Sequence, residues 1–277
     1  MANILTHTYM ALQLTKDQEI TQEELDHLIV GSILPDIHLT GLIQYHNTHH
    51  KSKDFFEYAN GRLKKILALG IILHSENPKG LDHYFHGWNG FITQNSDNVK
   101  RIAKRYKSCL GKIDEDIIHH LIEFSVDSIL TKHNPEIVPK LIKALNNPRM
   151  GYAITAFSSY HDLGEKKNKK INAILKKKHL MNFIKNFLNV ENTANNWLSL
   201  RFYMNLKEGR ALSFSKKLKR MTQFSFYNLK RTIDDRQMIS LFKELNELLE
   251  DRTLKALTEA EKEIRVIKNE YWANLPD

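Results

Sequence analysis

Cysteine is almost absent from this chain: Cys109 is the single one in 277 residues. That excludes an internal disulfide framework and any paired-cysteine metal site. Glycine and proline are scarce too, at 11 and 6 residues, too few for an all-β sandwich built on tight turns and suited to long helices. Long apolar runs are missing. The longest, Ile66 to Leu73, contains a glycine and is far shorter than the roughly 20 residues that span a bilayer. The opening Met1-Ala2-Asn3-Ile4-Leu5 has no basic region ahead of an apolar stretch, so no secretory signal is expected and the cytoplasm is the expected location.

What is present is an ordinary globular composition, 42% apolar and 26% charged, which excludes a wholly disordered chain. Histidine is the anomaly, with fourteen residues, twelve of them between His7 and His133. Charge is distributed the other way. Residues 1–160 hold 17 Lys+Arg against 17 Asp+Glu, a balance of zero, while residues 161–277 hold 24 against 15, a balance of +9. The expected organisation is a histidine-rich helical region over 1–160 that carries the chemistry. A basic helical C-terminal region over 161–277 is expected to pack on it.

Periodicity predicts an all-α protein. Ile4, Leu5, Tyr9, Met10 and Leu12 suit one face of a short first helix. Thr21 and Glu24 form a capping-box pattern ahead of a helix through Leu28–Val30, and Pro35 breaks the helical period after it. Residues 54–75 read as one long helix with Leu63, Ile66, Leu67, Gly70, Ile71 and Leu73 inward, ended by Asn77-Pro78-Lys79-Gly80. A further helix is expected from Asp116 to about Leu130, and another over 238–272.

Histidines and carboxylates recur at chelating distances. His119, Glu123 and Asp127 fall at i, i+4 and i+8 and so project from nearly one helix face. An i,i+4 His/Glu pair can reach one zinc from two points. Asp82 and His86 make a second such pair, His46, His49 and His50 form a cluster, His74 closes the long helix, and Asp36 follows the proline. Asp127, one turn past Glu123, is expected to partner a ligand and not to be one. Each pair alone is weak, because such pairs often merely face solvent; gathered together, they match what a zinc cluster needs from several elements.

In order along the chain, Thr6-His7-Thr8-Tyr9-Met10-Ala11, Gly31-Ser32-Ile33-Leu34-Pro35-Asp36-Ile37, His74, Asp82…His86 and His119-His120-Leu121-Ile122-Glu123…Asp127 resemble the zinc-dependent phospholipase C family, related in fold to the S1/P1 nucleases. The likeness covers residues 4 to about 130. It implies an all-α helical bundle of phospholipase C/P1 nuclease type, here with additional C-terminal helices, and a site of two or three zinc ions. His86, His119 and Glu123 would hold one zinc. Asp36, one of His46, His49 and His50, His74 and Asp82 would hold another, with Asp82 bridging. His7 would serve a third, and Asp36 would also be the candidate catalytic base. Within the cluster His50 is preferred, with His49 next, because they stand nearest the helix expected from Asp54. Two features differ from the family pattern: seven residues separate His74 from Asp82, and the family's N-terminal amine ligand follows an N-terminal tryptophan that is not found here.

The resemblance implies a phosphodiester hydrolase, in which a metal-bridged hydroxide attacks phosphorus. Its substrate would be an anionic phosphodiester of lipid-headgroup, nucleotide or phosphopantetheine type. The lysines between Lys166 and Lys178 would attract it, or an anionic membrane surface or acidic protein. No obligate partner is inferred. Two other readings compete. His7-Thr8-Tyr9-Met10-Ala11 with Asp82-His83-Tyr84-Phe85 and Trp88 also resembles the acyl carrier protein phosphodiesterases. The third reading is a non-enzymatic basic helical module for nucleic acid or anionic membrane, with Phe214, Phe224, Phe226 and Tyr227 among its basic residues.

Overall fold

The computed structural model describes the backbone of residues 4–111, 113–176, 178–197 and 214–276, and the side chains of these except at 179 and 214–235. The aromatic stretch from Phe214 to Tyr227 therefore lies outside the described side chains. Every regular element among the described residues is helical. The first half holds α1 (Ile4–Leu14), α2 (Gln22–Ile33), a 3₁₀ segment (Leu34–Thr40), α3 (Tyr45–His49), α4 (Ser52–Tyr58) and α5 (Arg62–His74). It continues with α6 (Leu81–His86), α7 (Phe91–Arg105), α8 (Lys107–Leu110), α9 (Glu115–His133), α10 (Ile137–Leu145) and α11 (Met150–Tyr160). The second half holds α12 (Gly164–Leu175), α13 (Lys178–Lys185), α14 (190–197) and α15 (Phe214–Trp272).

The centre of the fold is α5. Ile66 to His74 is buried without interruption, as expected of a helix apolar all round. It packs against α2, α4, α1, α11, α15, α3 and α6. The expected single helix over 54–75 is instead two. Ala59 is extended at ψ 124 and Gly61 left-handed at φ 88, so the chain turns between α4 and α5.

The closest crossing is α2 on α5. A Cβ built on Gly31 would lie 2.1 Å from the Leu67 carbonyl oxygen, and one on Gly70 would lie 2.3 Å from the Leu28 carbonyl oxygen. Only glycine at both positions lets the two backbones touch. The capping box starts α2 as the sequence predicts: the Glu24 amide donates to Thr21 Oγ1 at 3.3 Å and the Thr21 amide to Glu24 Oε2 at 2.7 Å. After Ile33, Pro35 sits in the first turn of the 3₁₀ segment, which ends at left-handed Gly41.

The second half is not apart from this core. Met238, Leu241, Phe242, Leu245 and Leu249 of α15 are buried at helical spacing, and α15 packs on α9, α7, α1 and α5. Phe124 of α9 meets Phe183, Phe187, Trp197 and Phe242 with ring centroids 5.3 to 6.4 Å apart.

Gly31→Ala should destabilise the fold by about 1–3 kcal/mol through overpacking against a backbone that cannot yield. Gly151→Ala in α11 has only Asn172 Oδ1, at 3.9 Å, near the added carbon, and should be neutral or stabilising by up to about 1 kcal/mol. Urea midpoints of the two variants check the contrast.

Candidate metal centre

The α2/α5 contact carries the first two site residues. Ser32 lies at the end of α2, and Pro35 has no N–H to offer its carbonyl in a 3₁₀ bond. His74, the last residue of α5, takes that carbonyl with Nδ1 at 2.7 Å. A carbonyl only accepts, so His74 Nδ1 carries the hydrogen and Nε2 points into the site. His38 Nδ1 meets the Pro35 carbonyl at 3.1 Å in the same way. His49 Nδ1 meets the Tyr45 carbonyl at 3.2 Å and Thr48 Oγ1 at 2.7 Å. Fixing one ring nitrogen on a carbonyl is the usual way a protein presents the other to a metal.

The seven residues after His74 fold back. Glu76 and Asn77 donate their amides to the His49 carbonyl, both at 3.2 Å, and Ser75 Oγ donates to the Ile72 and Pro78 carbonyls. Gly80 rests on the end of α5, where a Cβ would be 2.4 Å from the Ile72 carbonyl oxygen. This turn returns Asp82, at the start of α6, to His74.

Asp82 is the hub. Its Oδ2 stands 3.3 Å from both His49 Nε2 and His74 Nε2. Its Oδ1 stands 3.3 Å from His7 Nε2 and 3.5 Å from His86 Nε2. The two oxygens thus face different histidine pairs, as a bridging carboxylate does. His86 Nε2 lies 3.7 Å and His119 Nε2 3.1 Å from Glu123 Oε1. Asp36 Oδ1 is 3.9 Å from His74 Nε2. Donor atoms lie within 4.8 Å of one another in four sets: His7/Asp36/His74, Asp36/His38/His49, His49/His74/Asp82 and His86/His119/Glu123.

Of the predicted site residues, His7, Asp36, His49, His74, Asp82, His86, His119 and Glu123 are therefore brought together. His50 is not. Just past the end of α3 it turns outward, 3.1 Å from Glu76, while exposed His46 stacks on it at 5.0 Å. Nearness to the next helix is a poor guide within a five-residue helix, where neighbouring side chains diverge by about 100°. Asp127 also departs from expectation. It accepts from the Leu5 amide at 3.4 Å, the Thr6 amide at 2.9 Å and Thr6 Oγ1 at 2.7 Å. It thus anchors the start of α1, next to His7, in place of holding a ligand. His38 and His120 were missed. His120 Nδ1 is 2.8 Å from Glu123 Oε2, and its only sequence signal is an i,i+3 spacing.

The buried donors are not fully satisfied by one another. Asp36 Oδ2, Asp82 Oδ1 and His7 Nδ1 are buried without a hydrogen-bond partner, which is costly unless something else compensates. With both Nδ1 atoms committed, the Nε2 atoms of His49 and His74 would aim lone pairs at each other across 3.1 Å. In the metal-free chain a proton fills this role. Burial opposes charge on His74, but Asp82, Asp36 and the Ser32 carbonyl outweigh it and raise it to about 9. Burial and the charge on His74, stacked at 3.7 Å, push His7 down to about 4. Burial likewise opposes ionisation of Asp82 and Glu123, yet their histidines hold both carboxyls below the usual range. Three carboxylates and at least five imidazoles facing one another are a donor set that fits zinc.

No protein-family model matches the chain, and no curated protein or solved structure matches it. Among the described residues no helix is long and apolar enough to cross a membrane.

If the donor set takes up zinc, His49→Ala should lower the zinc bound per chain by at least one ion by elemental analysis, while His50→Ala should leave it unchanged. Because a proton on His74 competes with metal, zinc affinity should rise with pH, by about tenfold per unit below about 9 for each proton displaced. In the metal-free chain His74 has its folded value raised, so its stabilisation is complete below 6.5 and fades as pH rises through about 9. Calorimetric zinc titrations at several pH values and apo-protein melting curves check both signs.

Proposed function

We propose that this protein is a zinc-dependent hydrolase of phosphodiester bonds, of the phospholipase C/P1 nuclease type that its motifs resemble. The observation that carries the reading is Asp82, whose two oxygens face separate histidine sets at 3.3 to 3.5 Å. One ion would be held among His7, Asp36, His49, His74 and Asp82, and a second by His86, His119 and Glu123 together with Asp82. When bound, such a pair of ions lowers the pKa of water and neutralises phosphate oxygens.

The chain's own residues supply the rest. Asp36 is buried at 8% exposure with Oδ2 free of hydrogen bonds, placed to hold a proton during transfer. Asp82 and Glu123, kept ionised by their histidines, set the charge of the cluster. A cleft of about 570 Å³ lined by Glu76, His86, Gly87, Trp88, Asn89 and Thr93 opens beside His86, and Trp88 is 91% exposed at its edge. Substrate would enter there. The lysines of α12 (Lys166, Lys167, Lys169 and Lys170) are exposed and would draw an anion towards the molecule.

The carrier-protein phosphodiesterase reading uses His7 and Asp82, which do adjoin, but it leaves His86, His119 and Glu123 without a task. The binding-module reading needs only the exposed lysines and leaves the buried donors unexplained.

His119→Ala and Glu123→Ala should each remove about one zinc per chain and reduce hydrolysis of bis(p-nitrophenyl) phosphate by at least about 10³-fold. Helical circular dichroism should remain close to wild type. Unchanged zinc content in both variants would exclude the assignment.

A further inference from the structure

Lys64 lies in the first turn of α5 and His74 at its end, about 15 Å apart along the axis. A second cleft, of about 410 Å³, opens at the Lys64 end between the α4–α5 turn and α11. We infer that this cleft binds a proline-rich segment of a partner protein in the polyproline II conformation. The inference concerns a surface remote from the metal centre and does not depend on the hydrolase reading.

The sides of the cleft are aromatic. Tyr58 at the end of α4 and Tyr152 on α11 both line it, yet they are 56% and 79% exposed. Exposed aromatic side chains gathered at one cleft mark a binding surface. The Tyr58 ring is held from behind: it lies 5.1 Å from Tyr160, which lies 5.2 Å from Phe55. A ring fixed before a ligand arrives loses little freedom on binding. Buried Ala59 and half-buried Ala156 also line the cleft, and their methyl groups leave room for a ring between the tyrosines. On α11 the lining residues Tyr152, Thr155, Ala156 and Ser159 fall at i, i+3, i+4 and i+7, a ridge about 10 Å long. That is the length of about three residues of polyproline II.

The polar groups decide the ligand. Among the described residues, nothing bonds to the hydroxyls of Tyr58, Tyr152 and Ser159, the Asn60 amide or Lys64 Nζ. Their neighbours are committed: Lys65 Nζ donates to the Phe56 carbonyl at 3.2 Å, and Thr155 Oγ1 donates to the Gly151 carbonyl at 2.8 Å. Every uncommitted group can donate, and the lining holds no carboxylate. Such a rim suits a ligand rich in acceptors and poor in donors. Proline has no N–H, and polyproline II makes no internal hydrogen bonds, so its carbonyls are all available. Its rings dock in aromatic-lined grooves, and the chain is ordered before it binds. Sugars and nucleobases also stack on tyrosine, but they bring donors of their own, and a polyanion would find Lys64 as the only cation of the lining.

The test is calorimetric titration of the full chain with end-blocked decaproline, beside cellohexaose and decathymidylate. Decaproline should saturate one site per chain, and Tyr58→Ala and Tyr152→Ala should each weaken it by about tenfold or more. Zinc content and phosphodiester hydrolysis should equal those of wild type in both variants, and His119→Ala should leave decaproline affinity unchanged. Circular dichroism melting curves check folding; should Tyr58→Ala be destabilised, Tyr152→Ala, whose side chain stands on the surface, carries the test. No saturable binding of decaproline overturns the proposal, as does an affinity that Tyr152→Ala leaves unaltered. Saturation by cellohexaose or decathymidylate without a response to decaproline overturns it too.

Discussion

The contact between Gly31 and Gly70 is the constraint on which the site depends. Helix axes ordinarily stand 8–10 Å apart at a distance set by the side chains between them, and here there are none: added carbons would meet backbone at 2.1 and 2.3 Å. Each helix of the pair delivers a donor just past the crossing, Asp36 after the end of α2 and His74 at the end of α5. Their atoms are 3.9 Å apart, and the bond from His74 Nδ1 to the Ser32 carbonyl closes the same junction. A wider crossing would separate the two donors. The glycines therefore act on the chemistry without touching it, through the spacing of the backbones that carry it.

Charge sets the second condition. Asp36, Asp82 and Glu123 are at most 8% exposed, and a buried carboxylate without compensation costs several kcal/mol. Imidazoles face Asp36 and Asp82 at 3.3 to 3.9 Å. The nearest cationic groups are imidazoles, which are neutral near physiological pH unless a carboxylate holds the proton in place. A site that surrounds buried acids with weak bases, and not with arginine, holds positive charge that can be exchanged. That is the requirement of a centre in which metal ions and protons compete for the same nitrogens.

How much of this was legible in the sequence follows the length of each element. The capping box of Thr21 and Glu24, the helix through Glu123 and the all-α class could be read because they rest on repeated or paired local signals. The i,i+4 pairs Asp82/His86 and His119/Glu123 carried over for the same reason. The choice among His46, His49 and His50 could not be read, because α3 has only five residues and no apolar period to set its phase. His38 escaped notice because it is two residues from Asp36 on a 3₁₀ turn, where chelating patterns taken from α-helices do not apply. The break between α4 and α5 was hidden by apolar residues on both sides of Ala59–Asn60–Gly61. Asp127 fell at the right spacing for a metal partner, but α1 enters close enough for its first amides to claim the carboxylate, a long-range contact with no local mark.

The basic second half looks like a separate electrostatic arm by composition, and its packing gives it another role. Phe124 follows Glu123 directly in α9, so the two side chains leave the helix about 100° apart. Glu123 turns to the histidines, and Phe124 enters the aromatic group of Phe183, Phe187, Trp197 and Phe242. Asn246 donates to Ser128 Oγ at 3.0 Å and Lys132 pairs with Glu250 at 2.8 Å, which extends the contact along the same helix. The face of α9 opposite the cluster is therefore held by residues after 180. Burial of those rings contributes far more than the exposed ion pairs, each worth about 1 kcal/mol or less. What holds the ligand-bearing helix in place is the apolar side of the second half, which leaves its exposed lysines free to act on whatever approaches from solvent.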